Sequence, residues 1–347
     1  MNYVSPVKDT KFVLENLLNN PSAIENDLMN SILEEAGKLA NENLAPLNHE
    51  GDKNPPKLRQ DNEVETSPGF KNAFKKIASG GWIGVSSNPD YDGMGLPFRM
   101  AAAVSEYWQG ANMSFALCNL LSQGLIDALT LVGTDKEKEL YLPKLINGSW
   151  TGTMNLTEPQ SGSDVANSTM TAIKDGNQFV LNGEKTWISN GGIADLYTVF
   201  ARTGEGPGAK GLSAFIVTPE VQGFDVIERL ETIAPHPLAR LKFSDCRIPA
   251  TSMIGEAGEG FKIAMSVLDI FRSSVGAAAL GFARRALDAT LTRVESREIQ
   301  GSKLSEMQMI QAHIADMAIA IDTSALLVYR AAWAKDQGQN RITREAA

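Results

Sequence analysis

Within some thirty residues the chain sets down a threonine (Thr157), a Gly-Ser-Asp turn (162–164), a tryptophan (Trp187) and a second hydroxyl (Ser189), in the stretches "MNLTEPQSGSDVAN" and "KTWISNGG". Pro159 and Gly162 forbid a helix through the first stretch and favour a shaped loop. Such a loop aims backbone N–H groups and the hydroxyls of Thr157 and Ser163 at something polar and planar, or anionic. The second stretch reads as strand into turn, and a strand period of two puts Trp187 and Ser189 on one face. A flat aromatic wall with a hydroxyl beside it suits an isoalloxazine ring: the indole covers a face and the hydroxyl bonds near N5. Taken alone, each stretch is as well explained by an ordinary turn or a core aromatic; the pairing at this spacing points to a flavin.

The elements that must hold these residues follow a helix–sheet–helix order. Apolar positions Ile24, Leu28, Ile32, Leu33, Ala36 and Leu39 approach helical spacing across 22–46. Residues 50–68 are polar and carry prolines, which predicts a loop, and helical patterns resume at 69–79 and 98–146, so the first 150 or so residues read as all-helical. Between 165 and 245 about six short runs, with no helix between them, predict a mostly antiparallel sheet, with Asp175-Gly176 as a hairpin signal. From Gly258 two long helical patterns return, suited to a bundle. The small-residue run Gly276–Gly281 lets helices approach closely. Gly338 falls in a turn, and Thr343 is a candidate N-cap for one more helix.

Composition narrows the functional class. A chain of 347 residues is too long for one core and should divide into two or three domains. The net charge of −9 argues against nucleic acid, which needs a basic face. Cys118 and Cys246 form no disulfide framework, and His49, His236 and His313 are scattered without metal-ligand intervals, so no metal site is expected. The N-terminal residues lack a basic segment followed by an apolar core and a cleavage site. No stretch approaches about 20 uninterrupted apolar residues. A cytoplasmic protein with no membrane span is expected.

The motifs "LTEPQSGSDVA", "GEKTWISNGG", "KGLSAFIV", "FSDCRIPATSMIGEAGEGF", "LDIFRSSVGAAALGFARRAL" and "QMIQAHIADM" resemble, in order, those of the acyl-CoA dehydrogenase family. The first 65 residues resemble the extension of a subgroup that includes 3-methylthiopropanoyl-CoA dehydrogenases. The resemblance implies an α+β fold: an N-terminal extension and linker (1–65), an N-terminal helical domain (66–150), a central antiparallel β-domain (151–257) and a C-terminal helical bundle (258–347), read as incomplete. It implies FAD lined by Met154, Leu156, Thr157, Gly162, Ser163, Trp187, Ile188 and Ser189. Thr157 would bond the pyrimidine end, Trp187 cover the face away from substrate, and Ser189 lie near N5. Arg297 and Gln308 would reach the FAD of a neighbouring subunit in a homodimer or homotetramer. Ser163, Asp269 and Arg272 would touch acyl-CoA.

The implied reaction is α,β-dehydrogenation of a thioester, with electrons passed to an electron-transfer flavoprotein. It needs a carboxylate base. At the position before Arg272 where some members of the family carry it, this chain has Phe271, so the base is expected beyond Ala347. Glu158 is placed for a structural role. Gln300, where an aromatic is usual, removes one stacking contact, and Gln160, Ser161 and Asn167 replace small residues. Two alternatives stand beside this reading: a flavin monooxygenase or oxidase of the same fold, and a catalytically silent FAD- or acyl-CoA-binding scaffold.

Overall fold

The computed structural model describes residues 3–18, 24–60, 63–339 and 342, so the candidate cap Thr343 lies outside the described residues. The first helices are α1 (Val7–Phe12), α2 (Asn26–Leu39) and α3 (Ala45–Lys53). α3 runs into the stretch expected to be loop, because Gly51 packs directly on Phe70: a Cβ there would meet the ring at 3.0 Å. The consecutive prolines 55 and 56 then prevent continuation. Short strands β1 (Lys57–Leu58) and β2 (Val64–Glu65) pair antiparallel. The expectations of a bare loop and of an all-helical first 150 residues are therefore corrected. Next come α4 (Phe70–Ser79), α5 (Phe98–Ala111), α6 (Met113–Val132) and α7 (Asp135–Ile146). Thr134 and Glu137 cap the last reciprocally, hydroxyl to main chain and carboxylate to main chain.

All six expected strands form: β4 (Thr171–Asp175), β5 (Gln178–Ser189), β6 (Leu196–Arg202), β7 (Leu212–Val217), β8 (Phe224–Arg229) and β9 (Leu238–Pro249). The tight turn between β4 and β5 is Gly176-Asn177, one residue later than the dipeptide expected, with Gly176 at φ +60°. β3 (Gly152–Asn155) joins parallel to β6, and β10 (Met253–Ile254) pairs with β7, giving eight strands in one largely antiparallel sheet. β6 and β7 are buried almost throughout, so alternation is lost there. Leu181, Val199, Phe215, Leu241 and Phe243 fill the core beside the sheet.

α8 (Gly260–Ser296), the hairpin strands β11 (Glu298–Ile299) and β12 (Ser302–Lys303), and α9 (Gln308–Asp336) follow as the last elements among the described residues. Two compact units result. One is drawn from Met1–Asn48, Leu96–Ala116 and Asp269–Ala347; the other, holding the sheet, from His49–Gly95 and Leu117–Leu268.

Within the helical unit, the expected close approach is present. A Cβ on Gly281 would fall 2.3 Å from the Glu106 carbonyl oxygen, so α5 and α8 touch backbone to backbone. Ala102, Ala277, Val328 and Ala332 pack at the same crossing of α5, α8 and α9. Glu106 is sealed from water there. Its Oε2 accepts the Tyr329 hydroxyl at 2.5 Å, and Arg284 Nε lies 2.9 Å from Oε1. Burial pushes the Glu106 carboxyl up to about 7, with the Arg284 guanidinium opposing. Asp336, at the end of α9, caps α5, accepting from Phe98 N at 2.6 Å and Arg99 Nη1 at 3.1 Å.

α6, α8 and α9 are long and apolar enough on average to cross a bilayer, although polar residues such as Asn119, Gln123 and Asp127 interrupt the first of them.

Candidate functional site

The loop leaving β3 is held by two buried charges. Lys185 Nζ lies 2.9 Å from Glu158 Oε1 and donates to the Leu156 carbonyl at 3.0 Å. Glu158 also accepts from Thr169 N at 2.6 Å, Met170 N at 3.1 Å and Gln160 Nε2 at 2.6 Å. Burial acts to raise the Glu158 pKa, but Lys185 and the main-chain donors outweigh it and hold the group below its ordinary value. Burial draws Lys185 down to about 8 against the pull of Glu158. Glu158 thus has the structural role expected of it. Lys185 was not legible as its partner, although a lysine on a strand's inward side is a usable signal.

The distal half of the loop is fixed separately. Glu158 and Ser161 exchange main-chain hydrogen bonds at 3.0 Å, and the Ser161 hydroxyl donates to the Asp164 carbonyl. Arg202 then donates to the carbonyls of Ser168 at 2.5 Å and Ala166 at 2.6 Å. Between these anchors Gly162 and Ser163 are exposed, and a Cβ on Gly162 would meet nothing within 4 Å.

Thr186 N donates to the Thr157 carbonyl at 3.0 Å, which stitches this loop to β5 immediately before Trp187. The regular pleat stops here. β5 bulges against β9 between Lys185 and Ile188, Lys185 and Thr186 are both buried, and Trp187 takes φ +57°. Simple alternation, expected to set Trp187 and Ser189 on one face, does not hold here: the bulge, not period two, aims the indole. Trp187 is 57% exposed, an unusual state for the chain's largest kind of side chain held in a costly backbone conformation. Ile188 buries its side chain in the sheet core, so only its main chain can meet a ligand. Leu156 is buried, while Met154 and Thr157 are half-buried.

Beyond Trp187 the turn is over-determined. Thr153 Oγ1 donates to the Ser189 carbonyl at 2.6 Å, and Asn190, at φ +62°, donates through Nδ2 to the carbonyls of Cys118 at 2.8 Å and Gly152 at 3.0 Å. Gly191 must be glycine because a Cβ would come 2.5 Å from that of Ala239. One partner was missed from sequence: Ser189 Oγ lies 3.0 Å from Nε2 of His236, a buried side chain whose Nδ1 lies 2.8 Å from the Ala234 carbonyl. Between two prolines, His236 carries no periodic signal that would mark it.

Four expected site residues belong to the helical unit. Asp269 and Arg272 form an ion pair at 3.2 Å on α8, and Phe271 beside them is buried. Arg297 and Gln308 are exposed, flanking the β11–β12 hairpin, whose Gln300-Gly301 turn has both residues at positive φ. Among the described residues no cluster of three His, Cys, Asp or Glu could hold a metal ion.

Three family models match the chain: acyl-CoA dehydrogenase N-terminal domain over 28–149, middle domain over 153–246 and C-terminal domain over 258–347. Acryloyl-CoA reductase (NADH) of Anaerotignum propionicum is 40% identical over 281 residues, covering 79% of this chain and 70% of that protein. 3-Methylmercaptopropionyl-CoA dehydrogenase of Ruegeria pomeroyi is 34% identical over 342 residues, covering 90% of this chain; the chain spans only 57% of that relative's length. The solved structure of butyryl-CoA dehydrogenase from Megasphaera elsdenii superposes with a TM-score of 0.83 at 30% identity, covering 94% of this chain and 83% of that one.

Proposed function

This chain belongs to the acyl-CoA dehydrogenase family, and from that premise we propose that it seats FAD on the Trp187 indole and the 154–163 loop to interconvert an acyl-CoA and its 2-enoyl-CoA. The observation that carries the reading is the exposed indole of Trp187, held at φ +57° and joined through Thr186 to the Thr157 loop. An apolar plane kept in water by a strained backbone is waiting for a flat partner. The residues present fit a flavin: one aromatic wall, a half-buried threonine, and an open Gly-Ser turn with room for a ligand backbone.

FAD, when bound, supplies the acceptor for the hydride leaving the β-carbon. The chain's own contribution is placement. The Lys185–Glu158 pair fixes the loop at Thr157, and the Ser161 and Arg202 contacts fix the turn that carries Ser163, so that both hydroxyls are presented without local rearrangement. Trp187 would cover one face of the bound ring and keep water from it, and Ser189 would hold its hydroxyl toward N5. Asp269 and Arg272 serve the CoA end of the substrate. Removal of the α-proton needs a carboxylate whose pKa is raised by burial, and we assign it neither to Phe271, which cannot hold a proton, nor to Glu158, whose carboxylate is held low by Lys185. Arg297 and Gln308 are proposed to meet the FAD of a second subunit, and electron-transfer flavoprotein to be the redox partner.

Identity to a reductase favours a second direction for the same bond chemistry, saturation of an enoyl-CoA by the reduced protein. Anaerobic titration of the FAD-loaded protein with a panel of acyl-CoAs tests the reading. Bleaching of the flavin absorbance by at least one saturated thioester is expected. Reoxidation of the reduced protein by enoyl-CoAs marks the reverse direction, and no response to any thioester overturns both.

A further inference from the structure

We propose that His236 is a positioning residue for the flavin: its Nε2 accepts the hydrogen bond of the Ser189 hydroxyl, so that the Ser189 oxygen faces the ring as a hydrogen-bond acceptor. The inference rests on the reading that Ser189 stands at N5.

The Ala234 carbonyl can only accept, so the 2.8 Å contact with His236 Nδ1 requires a hydrogen on Nδ1. In a neutral imidazole Nε2 is then a bare acceptor, and the 3.0 Å contact to Ser189 Oγ must be an O–H donating to nitrogen. Burial holds the imidazole below its ordinary pKa, the Ala234 bond opposes this in part, and Arg229 acts with burial. The neutral form is the one the site keeps. A hydroxyl has a single proton, and here it is committed inward.

A flavin N5 is an acceptor in the oxidised ring and carries a hydrogen in the reduced ring. A serine whose proton is spent on His236 can accept from the second and has nothing to donate to the first. His236 therefore biases the site toward the reduced cofactor. Several contacts hold the pair in this geometry: Thr153 on the Ser189 carbonyl, the Asn190 N–H on the Pro237 carbonyl at 2.8 Å, and the pairing of Ser189 with Leu238 across β5 and β9.

Two measurements test this. With only three histidines in the chain, 15N-histidine NMR of the protein without FAD resolves the tautomer. A hydrogen on Nδ1, and an Nε2 resonance that moves in Ser189→Ala, are expected; a hydrogen on Nε2 at neutral pH overturns the proposal. Potentiometry of the FAD-loaded protein reads the consequence. His236→Leu is expected to lower the reduced-to-oxidised ratio about tenfold at fixed potential, about 30 mV more negative for a two-electron couple. Ser189→Ala should shift it the same way, the double variant no further, and His236→Gln, whose amide can both donate to Ala234 and accept from Ser189, should recover most of the shift. If Ser189→Ala moves the potential and His236→Leu, folded by circular dichroism, does not, the role of His236 is overturned while the placement of Ser189 stands. If Ser189→Ala leaves both flavin spectrum and potential unchanged, the underlying placement falls and this inference with it.

Discussion

Lys185 and Glu158 meet at 2.9 Å with both side chains sealed from water, on the strand and the loop that together form the candidate site. Removing one member of such a pair leaves the other charged and unpaired in the interior. Lys185→Met or Glu158→Gln is expected to cost the sheet-bearing unit about 3–5 kcal/mol, read by urea denaturation, and to weaken FAD retention in parallel. A loss under about 1 kcal/mol would show that the loop is held by its main-chain bonds alone.

Trp187 should behave in the opposite way. Its side chain is exposed and its backbone strained, so Trp187→Gly removes little packing and relieves a positive φ. Stability should stay level or rise by up to about 1 kcal/mol, while FAD binding, followed by quenching of flavin fluorescence, weakens at least tenfold. A destabilisation above about 2 kcal/mol would identify the indole as part of the core instead.

Gly281→Ala places a methyl group 2.3 Å from the Glu106 carbonyl oxygen, a contact that neither backbone can absorb in place. The expected cost is about 1–3 kcal/mol or more, seen as a lower Tm. The neighbouring Gly276 has only a methyl of Val328 at 3.2 Å. Gly276→Ala should cost clearly less, and equal effects would contradict the asymmetric crossing.

Glu106 predicts a pH dependence. Its folded-state pKa is raised from 4.5 to about 7, chiefly by burial, so between those values the folded chain keeps a proton that the unfolded chain has released. Its contribution to stability is present below about pH 4.5 and is lost as pH rises through 7, by about 3 kcal/mol in all. Comparing urea melts of the wild type and Glu106→Gln at pH 5 and pH 8 isolates it. The variant should be flatter across that range, and parallel curves would refute the assignment.

His236 acts in the other sense. Its folded-state pKa is lowered by burial, so its contribution is present above the ordinary value near 6.5 and is lost as the medium becomes more acid. His236→Gln should remove that acid sensitivity, as read by thermal melts at pH 7 and pH 5.

Much of this was legible in the chain because the signals are local. Pro159 and Gly162 exclude a helix whatever surrounds them, Asp175-Gly176 marks a turn to within one residue, and six strands follow from β-forming runs between turn residues. The small-residue run near Gly281 foretold a close crossing because absence of a side chain is itself readable. The short β1–β2 pair was not legible, since two-residue strands have no period to detect. β3 escaped because its partner β6 lies more than forty residues away.

The sequence by itself determined which residue types crowd around the candidate site, a threonine, a glycine-serine turn, an indole and a hydroxyl, since motif spacing is written along one dimension. What only the tertiary structure decided is how they are held. A bulge opposite β9 turns Trp187 outward, a lysine 27 positions from Glu158 becomes its counter-charge, and a histidine 47 positions from Ser189 comes within hydrogen-bond distance of its hydroxyl. Those relations join residues distant in sequence, and burial and hydrogen-bond direction, which set their chemistry, exist only once the chain has closed on itself.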